Sequence, residues 1–153
     1  MMSYTLREIN RDNFLSCDKA IDDIAKITYS FGEAYPEIKT WFHNKVIPGL
    51  HSGERIMLYV PSDKGIVALA ILKDSPLEKK ICTFYVSPEV RGKGLADILF
   101  IGSFEKLKTV KPLISVPENT LNRFKKYFAQ YKFHQTSSRF LTSKNMREFV
   151  YNG

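Results

Sequence analysis

The chain contains the stretch Val86-Ser-Pro-Glu-Val-Arg91-Gly92-Lys93-Gly94-Leu95-Ala96 between strand-forming residues, 81–86, and an apolar segment, residues 95–107. This pattern predicts a short glycine-rich loop that joins a strand to a helix. The first N–H groups of a helix have no partner within it, and the helix dipole makes that end partly positive. Glycine lets a ligand approach the backbone closely, and Arg91 and Lys93 add positive charge. We therefore predict that the loop holds a phosphate or a diphosphate.

Two common nucleotide-binding motifs do not fit this loop. The P-loop pattern, in which Gly and four further residues precede Gly-Lys-Ser/Thr, is absent. The dinucleotide pattern G-x-G-x-x-G fails as well, because Asp97 stands where the third glycine would be. What the loop does contain is V-x-P-x-x-R-x-x-G-x-A, over residues 86–96.

This pattern resembles the acetyl-CoA signature of the GNAT N-acetyltransferase superfamily, R/Q-x-x-G-x-G/A, with Arg91, Gly94 and Ala96 at its fixed positions. The resemblance implies an α/β protein with the GNAT fold, a mixed and mostly antiparallel central sheet flanked by helices. It also implies an acyltransferase that moves an acetyl group from acetyl-CoA, its co-substrate, to an amine. The alternative for the loop alone is a surface turn that happens to be rich in Gly and Lys.

The predicted elements follow the order of that fold over the whole chain, without repeats or linkers, so we expect residues 1–153 to form one domain. Asp12 or Asn13 is expected to cap the first helix, Pro36 to open a second, and Pro48-Gly49 to end it. The predicted strands are residues 4–9, 54–60, 65–72, 80–86, 111–116, 132–140 and 147–151, and further helices begin at Gly94 and Asn119.

Composition and charge limit the compartment and the partners. With 44% hydrophobic and 13% aromatic residues, the 153-residue chain should bury a sizeable core. Neither a signal peptide nor a membrane-spanning run is recognisable, so we expect a cytoplasmic protein that has no membrane partner. The two cysteines, Cys17 and Cys82, lack a metal-type spacing and are expected to be free thiols, with no metal site.

The net charge of +7 predicts an anionic partner. Coenzyme A, which carries several phosphate charges, is the simplest one. A nucleic acid is the alternative, although the lysines are spread along the chain rather than clustered. The oligomeric state stays open.

The resemblance also assigns the residues that hold acetyl-CoA. Backbone N–H groups of the loop would bind the diphosphate, with the Arg91 and Lys93 side chains in support. The strand before the loop would leave backbone groups free for the pantetheine and acetyl moieties. Asn119, which could equally be a helix N-cap, would contact the pantetheine arm. The cofactor-binding set is Phe84, Tyr85, Val86, Arg91, Gly92, Lys93, Gly94, Leu95, Ala96 and Asn119.

Acetyl transfer further needs a base that deprotonates the amine. Some family members use a glutamate on the strand before the loop, which implies Glu78 here. If that strand extends far enough, Glu78 would share one face with Cys82, Phe84 and Val86. The alternative is an exposed residue in a turn, and three histidines remain as other candidates: His43, His51 and His134.

The departing thiolate of coenzyme A can take a proton from an acid, and here the sequence departs from the family. Many members end the last helix with N-x-x-A-x-x-x-Y-x-x-x-G-F, and aligning its final residue on Phe133 places Phe128 at the tyrosine. Because Phe128 has no proton to donate, the neighbouring Tyr127 and Tyr131 become the candidate acids. Alternatively, the thiolate leaves unaided, or the protein is a non-catalytic acyl-CoA-binding regulatory module. All these aromatic residues could also simply pack the helix on the sheet.

The acceptor is left open by the sequence. By the resemblance, residues 29–53 form one wall of the acceptor site, where aromatic side chains would either line the site or pack the core. A small amine, a protein N-terminus or lysine, and an aminoacyl-tRNA all remain possible acceptors.

Overall fold

The structure, a computed structural model, describes residues 4–141 and 146–153. Within them the helices are α1 (Asp18–Tyr29), α2 (Ile38–Trp41), α3 (Ile47–Ser52), α4 (Leu95–Leu107) and α5 (Glu118–Gln130). The strands are β1 (Arg7–Ile9), β2 (Arg55–Ser62), β3 (Gly65–Asp74), β4 (Lys79–Val86), β5 (Leu113–Pro117), β6 (Gln135–Leu141) and β7 (Met146–Tyr151). None of the described helices has the length and apolar character needed to cross a bilayer.

All seven strands form one sheet in the order β1-β2-β3-β4-β5-β7-β6. Neighbouring strands are antiparallel except β4 and β5, which are parallel and are joined through α4. The predicted mixed, mostly antiparallel sheet flanked by helices is therefore confirmed. The predicted strands also exist, with ends that move by three residues or fewer.

Each face of the sheet carries its own hydrophobic core. The helical segments before β2 cover one face, where Ile24, Phe42 and Leu50 pack with strand residues such as Met57 and Ile71. The helices α4 and α5 cover the other face, where their side chains pack with residues of the same strands. Since both faces are covered, residues 67–72 of β3 are all buried, as their unbroken apolar character predicts.

The strands β4 and β5 separate soon after they begin. Only Lys80 with Leu113 and Ile81 with Ile114 are paired, and beyond them a wedge opens between the two strands. At this point β4 also has a bulge, because Ile71 of β3 pairs with Thr83 and Leu72 with Ile81, which leaves Cys82 as the extra residue.

The bulge changes which side chains share a face of β4. Phe84 and Val86 pack in the core under α4, whereas the Cys82 sulfur meets Arg55, which packs against the helices on the opposite face. The prediction that Cys82 lies on the face of Phe84 and Val86 is therefore wrong. A bulge inserts one residue into the alternation, so every side chain before it changes face relative to those after it.

The predicted ends of the first two helices are also wrong. Asn13 does not cap α1: its amide donates to the Glu8 carbonyl oxygen (2.9 Å) in the turn after β1, and α1 begins only at Asp18. The second helical segment runs from α2 through a π-helical turn (Phe42–Val46) into α3, so it does not end at Pro48. It ends at Gly53, whose φ of 86° is left-handed and suits glycine. Proline is tolerated here because it stands in the first turn of α3.

Candidate functional site

The wedge between β4 and β5 opens into a cavity of about 620 Å³. Its floor is formed by the two diverging strands, and its walls by the loop after β4, the start of α4, one side of α5 and the segment between α1 and α2. The cavity thus lies where the predicted phosphate-binding loop meets the unpaired edge of β4. This arrangement follows from the chain order, because the loop begins where β4 ends.

The glycine-rich loop presents open backbone to the cavity. Gly92 and Gly94 have φ values of 82° and 84°, and a Cβ built on either would meet nothing within 4 Å. The first bond of α4 runs from the Ile98 N–H to the Gly94 carbonyl oxygen (3.2 Å), which leaves the N–H groups of residues 95–97 without a partner inside the helix. Of the six predicted loop residues, Lys93 alone is outside the cavity lining. Both glycines therefore fit a site where an anion approaches the backbone.

The end of β4 also lies where the sequence predicts. Phe84, Tyr85 and Val86 all line the cavity. Their edge toward β3 is occupied by the paired residues 68–70, and the next N–H, of Ser87, donates to the Val67 carbonyl oxygen (2.8 Å). Their edge toward β5 pairs with no described strand, so it can offer backbone hydrogen bonds to a ligand.

One side of α5 completes the cavity with polar and charged side chains. Asn119, the predicted contact of the pantetheine arm, lines the cavity, and Pro117 rather than Asn119 stands at the N-cap position. Arg123 and Lys126 also line the cavity, and our sequence reasoning did not identify them. Their spacing from Asn119, at i, i+4 and i+7, was the available signal, because such residues share one face of a helix. These two cations add positive charge to the cavity lining.

The segment between α1 and α2 forms the opposite wall. The lining residues here are Ser30, Phe31, Glu33, Ala34, Tyr35 and Ile38. The Phe31 ring lies 6.3 Å from that of Tyr85 on β4. The predicted wall of residues 29–53 thus narrows to residues 30–38, while Phe42 and Leu50 pack in the core.

Solved structures share this architecture. The chain matches a GNAT-family acetyltransferase from Bacillus cereus at 15% identity and a TM-score of 0.64, over 98% of this chain and 96% of that chain. It matches the ribosomal-protein-S18-alanine N-acetyltransferase of Escherichia coli at 13% identity and a TM-score of 0.67, over 97% of this chain and 92% of that chain. The chain also matches the PaiA N-acetyltransferase of Thermoplasma acidophilum, in complex with coenzyme A, at 14% identity and a TM-score of 0.61. This match covers 97% of this chain and 98% of that chain. This chain has the GNAT fold. No protein-family model matches it, and neither does any curated protein in sequence.

Within the GNAT fold, α5 brings Tyr127 rather than Phe128 to the cavity. Phe128 is only 3% exposed, and its ring lies 4.2 Å from that of Tyr151 and 5.5 Å from that of Phe133. Tyr127 lines the cavity, with the Lys126 ammonium 4.8 Å from its ring centroid. The family alignment on Phe133 places Phe128 at the tyrosine position, but the aromatic residue that lines the cavity is Tyr127, one residue earlier.

Tyr131, the other candidate acid, is not part of the cavity lining. Its hydroxyl donates to Asp97 Oδ1 (2.5 Å), and burial together with that carboxylate raises the pKa of Tyr131. A phenol bound in this way holds α5 against α4. The structure therefore separates the two candidate tyrosines, of which the sequence favours Tyr127.

The predicted base, Glu78, is also away from the cavity. It precedes β4, in a turn where its N–H and carbonyl both bond to Ser75, and its carboxylate pairs with the Lys73 ammonium (3.3 Å). This agrees with the alternative of an exposed turn residue. His43 instead bonds to the Tyr29 hydroxyl (2.8 Å) and His51 packs on Phe14, and the lining includes none of the described histidines. Among the described residues, Glu33 is the one carboxylate of the lining.

Cys82, at the bulge, lines the cavity and remains a free thiol, as does Cys17. The Arg55 guanidinium, on a residue only 6% exposed, donates to the Cys82 sulfur (3.1 Å). Burial nevertheless raises the pKa of the Cys82 thiol. No cluster of His, Cys, Asp and Glu suited to a metal ion occurs in the described part of the chain.

Proposed function

We propose that this protein is a single-domain, acetyl-CoA-dependent N-acetyltransferase. The observation that carries the proposal is the position of the glycine-rich loop. It directly precedes α4 and lines the cavity where β4 and β5 have separated. Each of the three solved structures described above is named as an acetyltransferase, and one of them contains coenzyme A. The two free cysteines fit a reducing compartment, so we infer a cytoplasmic location.

The residues present fit coenzyme A. The open backbone of residues 92–96 suits the diphosphate. Arg91 lines the cavity, and Lys93, outside the lining, adds positive charge to the loop. Arg123 and Lys126 on α5 supply further positive charge, and Asn119 offers a hydrogen bond to the pantetheine arm. The net charge of +7 is consistent with this anionic ligand.

When bound, acetyl-CoA supplies the thioester carbonyl that the amine attacks. The unpaired edge of β4 at Phe84, Tyr85 and Val86 would orient that carbonyl and donate a backbone hydrogen bond to its oxygen. A donor aimed at a developing oxyanion is worth roughly 3 kcal/mol in comparable sites. No side chain is required for this role.

Proton transfer falls to two residues of the lining. Tyr127 donates a proton to the departing sulfur, because its side chain faces the cavity while Tyr131 is bound to Asp97. Glu33 attracts the ammonium form of the acceptor and accepts its proton through water. Glu78 has no part in this scheme, since it pairs with Lys73 in the turn.

The rival function is a non-catalytic acyl-CoA-binding module. Its support was Phe128 at the family's tyrosine position, and that support weakens because Phe128 belongs to the core while Tyr127 lines the cavity. Acceptors of every class left open by the sequence remain compatible with the proposed activity, including an aminoacyl-tRNA.

The test of cofactor binding uses two glycines in the same conformation. Gly94→Glu places bulk and negative charge in the loop and should weaken acetyl-CoA binding by about 100-fold or more, measured by calorimetry. Gly65→Glu is the matched control: Gly65 also has a positive φ (102°) and open space at its Cβ, but it is the first residue of β3 and lies outside the cavity lining. Unchanged affinity in a folded Gly94→Glu protein, judged against Gly65→Glu, would overturn the proposal.

Turnover separates the enzyme from the binding module. Release of free coenzyme A thiol is measured with acetyl-CoA and a panel of primary amines. We expect thiol release that depends on both substrates. A protein that binds acetyl-CoA tightly but releases no thiol with any amine would be the regulatory module.

A further inference from the structure

A hydrogen bond connects the two sides of the wedge. The Tyr35 hydroxyl, from the segment between α1 and α2, donates to Oε2 of Glu148 on β7, 113 positions further along the chain. In the sheet, Glu148 pairs with Pro117 of β5 on one side and Arg139 of β6 on the other. Tyr35 therefore reaches from the helical wall of the cavity to the half of the sheet that has separated from β4.

The chemistry of Glu148 determines the direction of this bond. Glu148 is only 2% exposed, and its other oxygen, Oε1, accepts a bond from Arg139 Nε (2.6 Å). A carboxylate accepts hydrogen bonds, and each oxygen of Glu148 here accepts one. Tyr35 must then donate its single hydroxyl proton to Glu148. The Tyr35 oxygen is left with acceptor capacity alone, and burial with the nearby carboxylate raises the pKa of Tyr35, so the hydroxyl stays protonated.

The cavity wall that contains Tyr35 carries three apolar side chains beside two polar ones, Ser30 and Glu33. Phe31, Ala34 and Ile38 line the same wall, and Tyr85 faces them from β4. The lining carboxylate Glu33 is on this wall, whereas the cations Arg91, Arg123 and Lys126 are on the loop and α5. The walls of the cavity therefore differ in charge. An oxygen that can only accept, set in a wall with these apolar side chains, favours a ligand with N–H donors on an apolar carrier.

We propose that Tyr35 positions the acceptor amine, that Glu148 holds Tyr35 in place, and that the acceptor is a primary amine on a compact apolar or aromatic group. This inference rests on the proposed acetyltransferase function and adds to it the substrate class. In the transfer, the amine nitrogen bonds to the carbonyl carbon and the C–S bond breaks, with its electron pair on sulfur. The nitrogen loses a proton through water to Glu33, which releases it to solvent, and the sulfur takes a proton from Tyr127, which regains one from water.

The first experiment compares Tyr35→Phe with Tyr29→Phe. Tyr29 is a matched control because its hydroxyl bonds to His43 and it does not line the cavity. With 2-phenylethylamine as acceptor, Tyr35→Phe should raise the amine KM by about 10-fold, with a smaller change in kcat and none in the KM for acetyl-CoA. Tyr29→Phe should change none of these constants. An unchanged amine KM in Tyr35→Phe would overturn the role of Tyr35.

The second experiment reverses the bond. In Glu148→Gln the side-chain amide can donate to the Tyr35 oxygen, which then turns its hydroxyl proton away and no longer presents a free acceptor. The amine KM should rise as in Tyr35→Phe, and this variant serves as the test if Tyr35→Phe does not fold. A parent-like amine KM in Glu148→Gln would overturn the orienting role of Glu148.

The substrate class is tested by comparing 2-phenylethylamine with ethanolamine. The parent protein should show the higher kcat/KM for 2-phenylethylamine, and a preference for ethanolamine would overturn the apolar carrier. Acetyl-CoA affinity is measured in parallel by calorimetry. Acetyl-CoA binding without transfer to any amine refutes the transferase function itself, whereas transfer that Tyr35→Phe leaves unaltered refutes only the inference about Tyr35.

Discussion

The two edges of β4 are built differently: its edge toward β3 carries seven residue pairs, and its edge toward β5 carries two. At the paired edge, the backbone groups of β4 bond to β3 within the sheet. The side chains of β3 here, such as Leu69 and Ile71, are fully buried. The open edge leaves N–H and C=O groups that need another partner, since an unmet buried group costs about 1–3 kcal/mol. One edge thus serves stability, and the other is available to a ligand.

The open edge is not a frayed end of the sheet. The strand β5 pairs with β7 over residues 114–117, so it is held on its far side while it diverges from β4. The bulge at Cys82 bends β4 at the point of separation. The Tyr35–Glu148 bond joins the helical wall to the β7 side. These contacts predict a cavity that exists before any ligand binds.

The largest effect is expected from Tyr127→Phe, on the α5 wall of the cavity that the open edge borders. If Tyr127 protonates the departing sulfur, kcat at saturating acetyl-CoA should fall by about 10²–10⁴-fold, with little change in cofactor affinity. Tyr131→Phe is the control, because its hydroxyl bonds to Asp97 outside the cavity, and it should reduce stability rather than the rate of transfer. Steady-state kinetics on both variants provide the test, and equal kcat values for parent and Tyr127→Phe would exclude an acid on α5.

The next largest effect is expected on the paired edge, from Leu69→Ala. Leu69 is fully buried opposite Tyr85, so its truncation should lower the free energy of unfolding by about 2–5 kcal/mol. Ser115→Ala on β5, which lines the cavity, should lower it by less than about 1 kcal/mol. Urea titrations of both variants test the contrast. Similar losses at the two positions would contradict the division of β4 into a stabilising and a ligand-binding edge.

A smaller effect is expected from charge beside the open edge. Lys126→Gln should weaken acetyl-CoA binding by about 3–10-fold at low salt, and the difference should shrink as ionic strength rises. Lys125→Gln is the matched control, since Lys125 is exposed on the same helix but is not part of the lining. Calorimetry at two salt concentrations distinguishes them. Equal affinities for both variants at low salt would remove Lys126 from the site.

The smallest effect concerns Cys82, at the junction of the two edges. Because burial raises the pKa of this thiol, its thiolate fraction at neutral pH is lower than that of a solvated thiol, and alkylation should accelerate only at more alkaline pH. Acetyl-CoA should slow the reaction further, since Cys82 lines the cavity. Mass spectrometry after iodoacetamide treatment follows Cys82 and Cys17 separately. Protection of Cys17 but not Cys82 by acetyl-CoA would move the cofactor to another site.

Much of the fold could be predicted because its signals are local. Neighbouring residues alone predict a strand, a loop and a helix here: the strand-forming run 81–86, the glycines at 92 and 94, and the apolar run that follows. The resemblance carried by Arg91, Gly94 and Ala96 then indicated a mixed, mostly antiparallel sheet flanked by helices. The glycine-rich loop and the end of β4 follow directly from this local pattern, and both line the cavity.

Other features depend on contacts between distant segments. The sequence by itself determined the element order, the GNAT-like loop and the surplus of positive charge. The tertiary structure alone decided that the bulge turns Cys82 to the other face, that α5 presents Tyr127 rather than Phe128, and that Tyr35 meets Glu148. The physical reason is that a bulge, a helix rotation and a long-range hydrogen bond are each set by packing against other elements, which local periodicity does not encode.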